Sequence, residues 1–212
     1  MAFALPEISR VDFGAEILRL SPSALGESSI DALFAHYREL ALWNRRMSLI
    51  GPGTAGEILA RHYGESLAAL PLIPAGARRA VDLGSGAGFP GLILAAAMPD
   101  LGMTLVEAQE RKWAFLASAA RKAALPCRCL NVRVHLPLPA GLPETFDLIT
   151  TRALRLDPKV WDALADRLTA EGRLLIWAGE HDPELPPSFV TSGSVPLAGS
   201  AKRRILALRR AP

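Results

Sequence analysis

Residues 81–91 read V-D-L-G-S-G-A-G-F-P-G, an apolar strand end that carries an acid and is followed at once by four glycines and a helix start. Glycines at 84, 86, 88 and 91 allow turns closed to residues with a Cβ, and they let backbone N–H groups come close to a ligand. A strand that passes through such a loop into a helix is the opening half of a nucleoside-binding unit. Glycine spacing alone is a weak signal, because an ordinary strand-to-helix turn also uses glycine.

The next apolar run, L-G-M-T-L-V-E-A at 101–108, ends in Glu107. A carboxylate there suits the two hydroxyls of a ribose. Because Asp82 lies inside the first strand and the entry is V-D-L-G, the pattern favours S-adenosylmethionine over a nicotinamide dinucleotide as the bound nucleoside. The expected fold class is α/β: the Rossmann-like fold of class I S-adenosylmethionine-dependent methyltransferases, a doubly wound, mostly parallel sheet with an N-terminal helical extension.

Outward from this loop, strands and helices alternate. The expected elements are a strand to residue 83, a helix at 90–98, a strand at 101–107, a helix at 109–124 and a strand at 127–134. F-D-L-I-T-T-R-A at 146–153 is a fourth strand, followed by a helix at 157–170 and a fifth strand, G-R-L-L-I-W-A-G, at 172–179. P-E-L-P-P-S at 183–188 reads as a loop, and 189–195 and 204–208 as late edge strands. Upstream, the chain reads helical at 6–20, turns at 21–23, and resumes from 28, with Ile30, Leu33, Phe34, Tyr37, Leu40 and Ala41 on one face. G-P-G-T-A-G at 51–56 breaks that pattern, and a further helix at 55–70 stops at Pro71 and Pro74. The expected organisation is a helical extension over 1–75 and an S-adenosylmethionine-binding domain over 76–212.

With 212 residues, 50% of them hydrophobic, the chain has enough apolar content for a substantial core. Its net charge of +3 is compatible with a polyanionic partner such as RNA, without the charge runs of a nonspecific nucleic-acid binder. No apolar stretch reaches membrane-span length and the first residues lack signal-peptide features, so a cytoplasmic protein is expected. No heptad seam or long exposed apolar strand appears, and a monomer is the default. Cys127 and Cys129 have no further thiols to complete a metal site, so none is expected, and both read as buried reduced thiols. Cys127 follows a proline, as the nucleophile for methylation at C5 of a pyrimidine sometimes does; the alternating strand context argues against that role.

In a sheet of this kind, ligands sit beyond the carboxyl ends of the strands. The converging candidates are Gly84, Ser85, Gly86, Gly88 and Phe89 after the first strand, Glu107 after the second, Val134 and His135 at the third, and Thr151 and Arg152 after the fourth. Asp82 and the loop amides are expected to hold the amino-acid part of the donor, Glu107 the ribose, and the segment after the third strand to border the adenine. Each has a plainer alternative: a turn cap for Asp82, a solvated charge for Glu107, a surface side chain for His135, an ion pair for Arg152. The sequence after the fourth strand, T-T-R-A-L-R-L-D-P, lacks the Asn/Asp-Pro-Pro-aromatic motif common for exocyclic amines. A purine N7 needs no proton removed, so the absence of an evident general base fits N7 transfer, with Arg152 on an RNA phosphate or guanine edge.

Several blocks in order carry a family resemblance: W-N-R-R-M-S-L at 43–49, R-H-Y-G-E-S at 61–66, D-L-G-S-G-A-G-F-P-G at 82–91, E-R-K-W-A-F-L at 110–116, N-V-R-V at 131–134 and T-R-A-L at 151–154. Together they resemble the glucose-inhibited division protein B family, the ribosomal RNA small subunit methyltransferases G. The resemblance implies methyl transfer from S-adenosylmethionine to N7 of guanine 527 in bacterial 16S ribosomal RNA, on naked RNA or on the small subunit. It places cofactor contact on Gly84, Phe89, Val134, His135 and Arg152, and it brings Asn44, Arg61 and His62 to the acceptor cleft as positioning candidates beside Arg152. The family pattern has Glu at His135, Lys at Ala178, Asn at Ser48 and Phe at Leu154. A small-molecule methyltransferase and a noncatalytic RNA-binding assembly protein are the alternative functions.

Overall fold

A computed structural model describes residues 4–152, 155–179 and 184–212. Ala153 and Leu154 of the T-R-A-L block, and Pro183 of the proline-rich loop, lie outside them. The strands are β1 (Arg79–Leu83), β2 (Gly102–Val106), β3 (Arg128–Leu130), β4 (Phe146–Arg152), β5 (Leu168–Ala178), β6 (Phe189–Pro196) and β7 (Arg204–Arg210). They form one sheet in the order β3-β2-β1-β4-β5-β7-β6. β3, β2, β1, β4 and β5 run parallel, and β7 pairs antiparallel with both β5 and β6. The order reverses at β1, between β2 and β4, which opens the ligand crevice of a doubly wound sheet beside the glycine loop.

Helices α4 (Gly91–Ala97) and α5 (Glu110–Lys122) cover one face, and α6 (Pro158–Asp166) covers the other. The N-terminal helices α1 (Arg10–Leu20) and α2 (Glu27–Asn44) pack on the α4–α5 side. There Phe13, Leu33, Tyr37 and Tyr63 share one continuous core with Ala80, Leu92, Leu105 and Phe115. Val81, Leu83, Ile149 and Leu174 on the opposite face pack with Trp161 and Leu164 of α6.

Several expected boundaries differ for identifiable reasons. α1 begins at Arg10, where Ser9 caps it by accepting from the Asp12 N–H at 3.1 Å. α2 ends at Asn44, whose Oδ1 accepts from Leu49 and Ile50 N–H at 2.9 and 3.0 Å and so binds a turn in place of another helical one. The expected break at 51–56 is a 3₁₀ helix, Pro52–Glu57. The single helix expected at 55–70 is a π-helix, Leu59–Gly64, a short α3 (Glu65–Leu67) and a 3₁₀ turn, Leu70–Leu72. β3 stops at Leu130 because β2, its one partner among the described residues, stops opposite it at Val106; Val134 and His135 therefore lie in a loop, not at a strand end. α6 ends at Asp166 rather than near 170, since pairing of Leu168 with Phe146 draws the next residues into β5.

The β1–α4 turn is closely packed. A Cβ on Gly91 would stand 2.4 Å from Leu105 Cδ2 and 2.7 Å from Asp82 Oδ2, so helix and strands meet at a distance only glycine permits. Gly91→Ala is expected to cost about 3 kcal/mol in urea unfolding, the upper end of overpacking effects, while Gly56→Ala, with open space around it, changes stability by less than about 0.5 kcal/mol.

Candidate functional site

The glycine loop is built from positive φ angles: +73° at Gly84, +53° at Gly86 and +84° at Gly88. Its amides are tied to the neighbouring strand. Gly84 and Ser85 N–H donate to the Val106 carbonyl at 2.9 and 3.0 Å, and Gly88 N–H donates to the Ser85 carbonyl at 2.7 Å. Gly86 N–H donates to Glu107 Oε2 at 3.0 Å, and Gln109 N–H to Oε1 at 2.8 Å. Glu107 is thus a buried carboxylate bridging the ends of two strands, and not a solvated charge. Asn131, which was legible only as part of N-V-R-V, donates from its side chain to the Glu107 carbonyl at 3.0 Å and holds that strand end.

Asp82 lies under the loop, 1% exposed. Thr150 donates to its Oδ1 at 2.7 Å, while among the described residues Oδ2 has no partner within hydrogen-bond geometry. Burial raises its pKa to about 6, against the hydrogen bonds that favour the carboxylate. Ser85 is buried and its hydroxyl donates to the Asp82 carbonyl at 2.9 Å. Phe89 is buried in the cap, with ring centroids 5.2 Å from His36, 5.1 Å from His62 and 5.0 Å from Tyr63. Val134 is half-buried; His135 is exposed, its Nδ1 3.1 Å from the Leu136 carbonyl. A Cβ at Gly86 would meet only the Gly84 carbonyl, at 3.8 Å, so the loop is open there, beside the Glu107 carboxylate.

A cavity of about 900 Å³ opens beyond the ends of β4 and β5, with Arg152, Arg155, Trp177, Ala178 and Arg203 in its lining. At its edge, buried Glu65 accepts from Arg152 Nη2 at 2.8 Å and from Arg203, and Arg61 Nε lies 3.1 Å away. One carboxylate therefore faces three guanidiniums. Burial lowers the pKa of Arg152, with Arg61 and Arg203 acting in the same direction against Glu65. The alternative of an ion pair for Arg152 is realised, yet the pair leaves the cluster with excess positive charge. Trp177 Nε1 donates to the Glu65 carbonyl at 2.9 Å and joins this turn to β5.

Arg61, Arg152 and, through Phe89, His62 are brought to one region, whereas Asn44 is fully buried in its turn and does not line the cavity. Glu65 and Arg203 are the residues that sequence reasoning passed over: Glu65 sits inside the R-H-Y-G-E-S block, and Arg203 stands one residue before the edge strand expected at 204–208. Cys127 and Cys129 are free and half-buried, and burial pushes the Cys127 thiol up to about 12, the reverse of what a nucleophile needs. Among the described residues, no helix is long and apolar enough to cross a membrane.

A parallel sheet reversing at β1, a glycine loop after it and a carboxylate after β2 define a Rossmann-like methyltransferase fold. A structure of an S-adenosylmethionine-dependent methyltransferase from Aquifex aeolicus superposes with a TM-score of 0.54 at 18% identity, covering 72% of this chain and 91% of that one. The family GidB, rRNA small subunit methyltransferase G, matches residues 29–185, and the chain belongs to this family. The ribosomal RNA small subunit methyltransferase G of Paramagnetospirillum magneticum is 41% identical over 136 residues, 64% of this chain and 63% of that protein. Its counterpart from Acidiphilium cryptum is 39% identical over 179 residues, 80% of this chain and 81% of that one.

The buried groups set a pH response. Burial lowers the pKa of His36 to about 4 and that of His62 to about 3, the latter helped by Arg152 and Arg61. Both rings are neutral when folded and take a proton on unfolding below 6.5, so their contribution is present above pH 6.5 and lost on acidification. Asp82 has the opposite sign, binding its proton in the folded state first, between about 6 and 3.8. The net uptake on unfolding is about one proton, so stability is expected to fall by about 1.4 kcal/mol per pH unit from pH 6 to 4. Urea unfolding across that range checks the slope, and His62→Asn flattens it.

Proposed function

We propose that this protein transfers a methyl group from S-adenosylmethionine to N7 of a guanine in small-subunit ribosomal RNA, guanine 527 of 16S RNA. The observation that carries the reading is an arginine-lined cavity at the ends of β4 and β5, with β4 paired to the strand β1 that leads into the glycine loop, in a chain of the methyltransferase G family. The residues at the loop fit the donor: Glu107 presents a carboxylate to a ribose diol, and the open face at Gly86 leaves room for a ligand against the backbone. Gly84, Ser85, Gly86, Gly88 and the Phe89 backbone form the cradle, Asp82 supports it from below, and the loop at Val134 and His135 borders the base. The donor supplies an electrophilic methyl on a sulfonium sulfur.

N7 carries its lone pair in the plane of the ring, so the protein has no proton to remove; its work is orientation and exclusion of water. An arginine bidentate to guanine O6 and N7 would occupy the reacting lone pair. Arg152, Arg203 and Arg61 therefore bind the phosphates flanking the guanosine, leaving N7 open. The lysine that the family pattern carries at Ala178 is replaced here by this arginine group as the source of positive charge. His62 helps to set the wall between donor loop and cavity through Phe89. Duplex RNA hides N7 in a deep, narrow groove, so the target is an accessible loop. The protein acts as a monomer in the cytoplasm, with the described part of the helical extension, residues 4–75, covering one side of the donor loop.

Labelled methyl transfer to unmodified small subunits, with the product located by chemical cleavage at 7-methylguanosine, is expected to give one signal. Arg152→Ala is expected to lower kcat/KM by about 100-fold, and Glu107→Gln to raise the donor KM by about tenfold, the range for lost charge-assisted hydrogen bonds. RNA binding without transfer would select the noncatalytic reading, and donor binding without RNA binding the small-molecule one.

A further inference from the structure

The glycine loop has an anchor outside the α/β framework. His36, on α2 and 1% exposed, places Nε2 3.0 Å from the Ala87 carbonyl and Nδ1 2.7 Å from the Tyr63 hydroxyl. A carbonyl only accepts, so Nε2 carries the proton; Nδ1 of the neutral ring then accepts from the Tyr63 O–H. Burial keeps His36 neutral above about pH 4 and holds Tyr63 protonated well above its ordinary range, so this pattern persists at working pH.

Ala87 lies between two glycines with positive φ. Rotation of the Ala87–Gly88 peptide changes ψ of Ala87 together with φ of Gly88, and glycine tolerates either sign of φ. This peptide is therefore one that can flip at little steric cost. In a trans peptide the carbonyl and N–H point in opposite directions. His36 holds the carbonyl toward the core, and the Gly88 N–H accordingly meets the Ser85 carbonyl at 2.7 Å. A flipped peptide would break both bonds and turn the Ala87 oxygen toward the Ser85 carbonyl, an oxygen–oxygen contact that the loop relieves only by shifting the backbone of the donor cradle. A Cβ at Gly88 would come within 3.1 Å of His36 Nε2, so the ring packs directly against the hinge.

We propose that His36, with its tautomer fixed by Tyr63, is a positioning residue for the methyl donor: it clamps the Ala87–Gly88 peptide against flipping, so the N-terminal extension sets donor affinity. The inference rests on the donor reading above. It predicts an effect on donor binding and on one loop amide, separate from RNA recognition.

The test combines donor-free amide hydrogen exchange resolved at Gly88, calorimetric binding of S-adenosylmethionine, and RNA binding. His36→Leu is expected to speed Gly88 exchange and to weaken donor binding, each by about tenfold, as loss of a buried hydrogen bond of about 1.4 kcal/mol implies. Tyr63→Phe gives a smaller shift in the same direction. His36→Gln, whose side-chain N–H can reach the Ala87 carbonyl, restores most of both. RNA affinity changes by less than about twofold. If His36→Leu does not fold, Tyr63→Phe, which deletes one hydroxyl, carries the test. A folded variant with unchanged Gly88 exchange and unchanged donor affinity overturns the clamp. Faster Gly88 exchange, in a protein whose wild type binds no donor, supports the clamp on the loop and overturns the donor reading instead.

Discussion

The contact between Gly91 and the Asp82–Leu105 pair fixes the rest of the site. Because helix α4 starts at a Cβ-free residue pressed onto β1 and β2, the chain must leave β1 and enter α4 within a loop that folds back on itself. Three positive φ angles accomplish that reversal. Side chains along the loop then point down into the core or outward into the cap, and the backbone faces the crevice. Asp82 is the cost of the arrangement. Its carboxyl is buried with one oxygen paired to Thr150 and the other without a partner in hydrogen-bond geometry among the described residues, and its pKa rises to about 6. Buried carboxylates in this condition are found where a backbone geometry is worth the desolvation penalty.

At the other end of the crevice, the electrostatic balance is set by Glu65. A carboxylate surrounded by three guanidiniums is favourably placed, but Arg152 and Arg203 share it with Arg61, which also has Glu57 at 3.9 Å. For Arg152 the outcome is explicit: burial outweighs Glu65, and the pKa is lowered. A cation destabilised in this way gains more from an added anion than a solvated one does, because the desolvation cost has already been met. The cluster is thus preorganised for an anion, and the tie from Trp177 to the Glu65 carbonyl keeps its central acid in place.

Much of the α/β domain was legible in the sequence because its signals are local. V-D-L-G-S-G-A-G-F-P-G specifies a strand, a turn and a helix start with residues that serve few other purposes, and the α4, β2, α5 and β4 boundaries fall within two residues of their expected positions. The misplacements occur where a distant partner decides. β3 ends because β2 ends, α6 yields to β5 because Leu168 finds Phe146, and the helix expected at 55–70 divides into π, α and 3₁₀ segments under packing from α1 and β5. For the site, Glu107 stands just after β2 as expected, whereas Thr151 and Arg152, expected after the fourth strand, are the last two residues of β4, because pairing with Ile176 and Trp177 carries the strand through them. Glu65 and Arg203 were not legible, since nothing local distinguishes a buried acid shared by three arginines from a solvated helix charge. Asn44 shows the reverse case: a motif position whose observed backbone bonds are structural.

The π-helix at Leu59–Gly64 explains how the N-terminal extension reaches both halves of the crevice. Widening the turn to i→i+5 bonds shifts successive side chains relative to an α-helix. Over this single stretch and the residue after it, His62 and Tyr63 meet Phe89, while Arg61 and Glu65 face the cavity at the ends of β4 and β5. Tyr63 also orients His36, and through it the glycine loop. A displacement of this turn would therefore alter the loop and the arginine cluster together. Donor and acceptor sites formed on separate loops could drift independently. Here the proposed donor and acceptor sites share one turn, which suits the in-line methyl transfer proposed above, where alignment of the reacting atoms carries the catalysis.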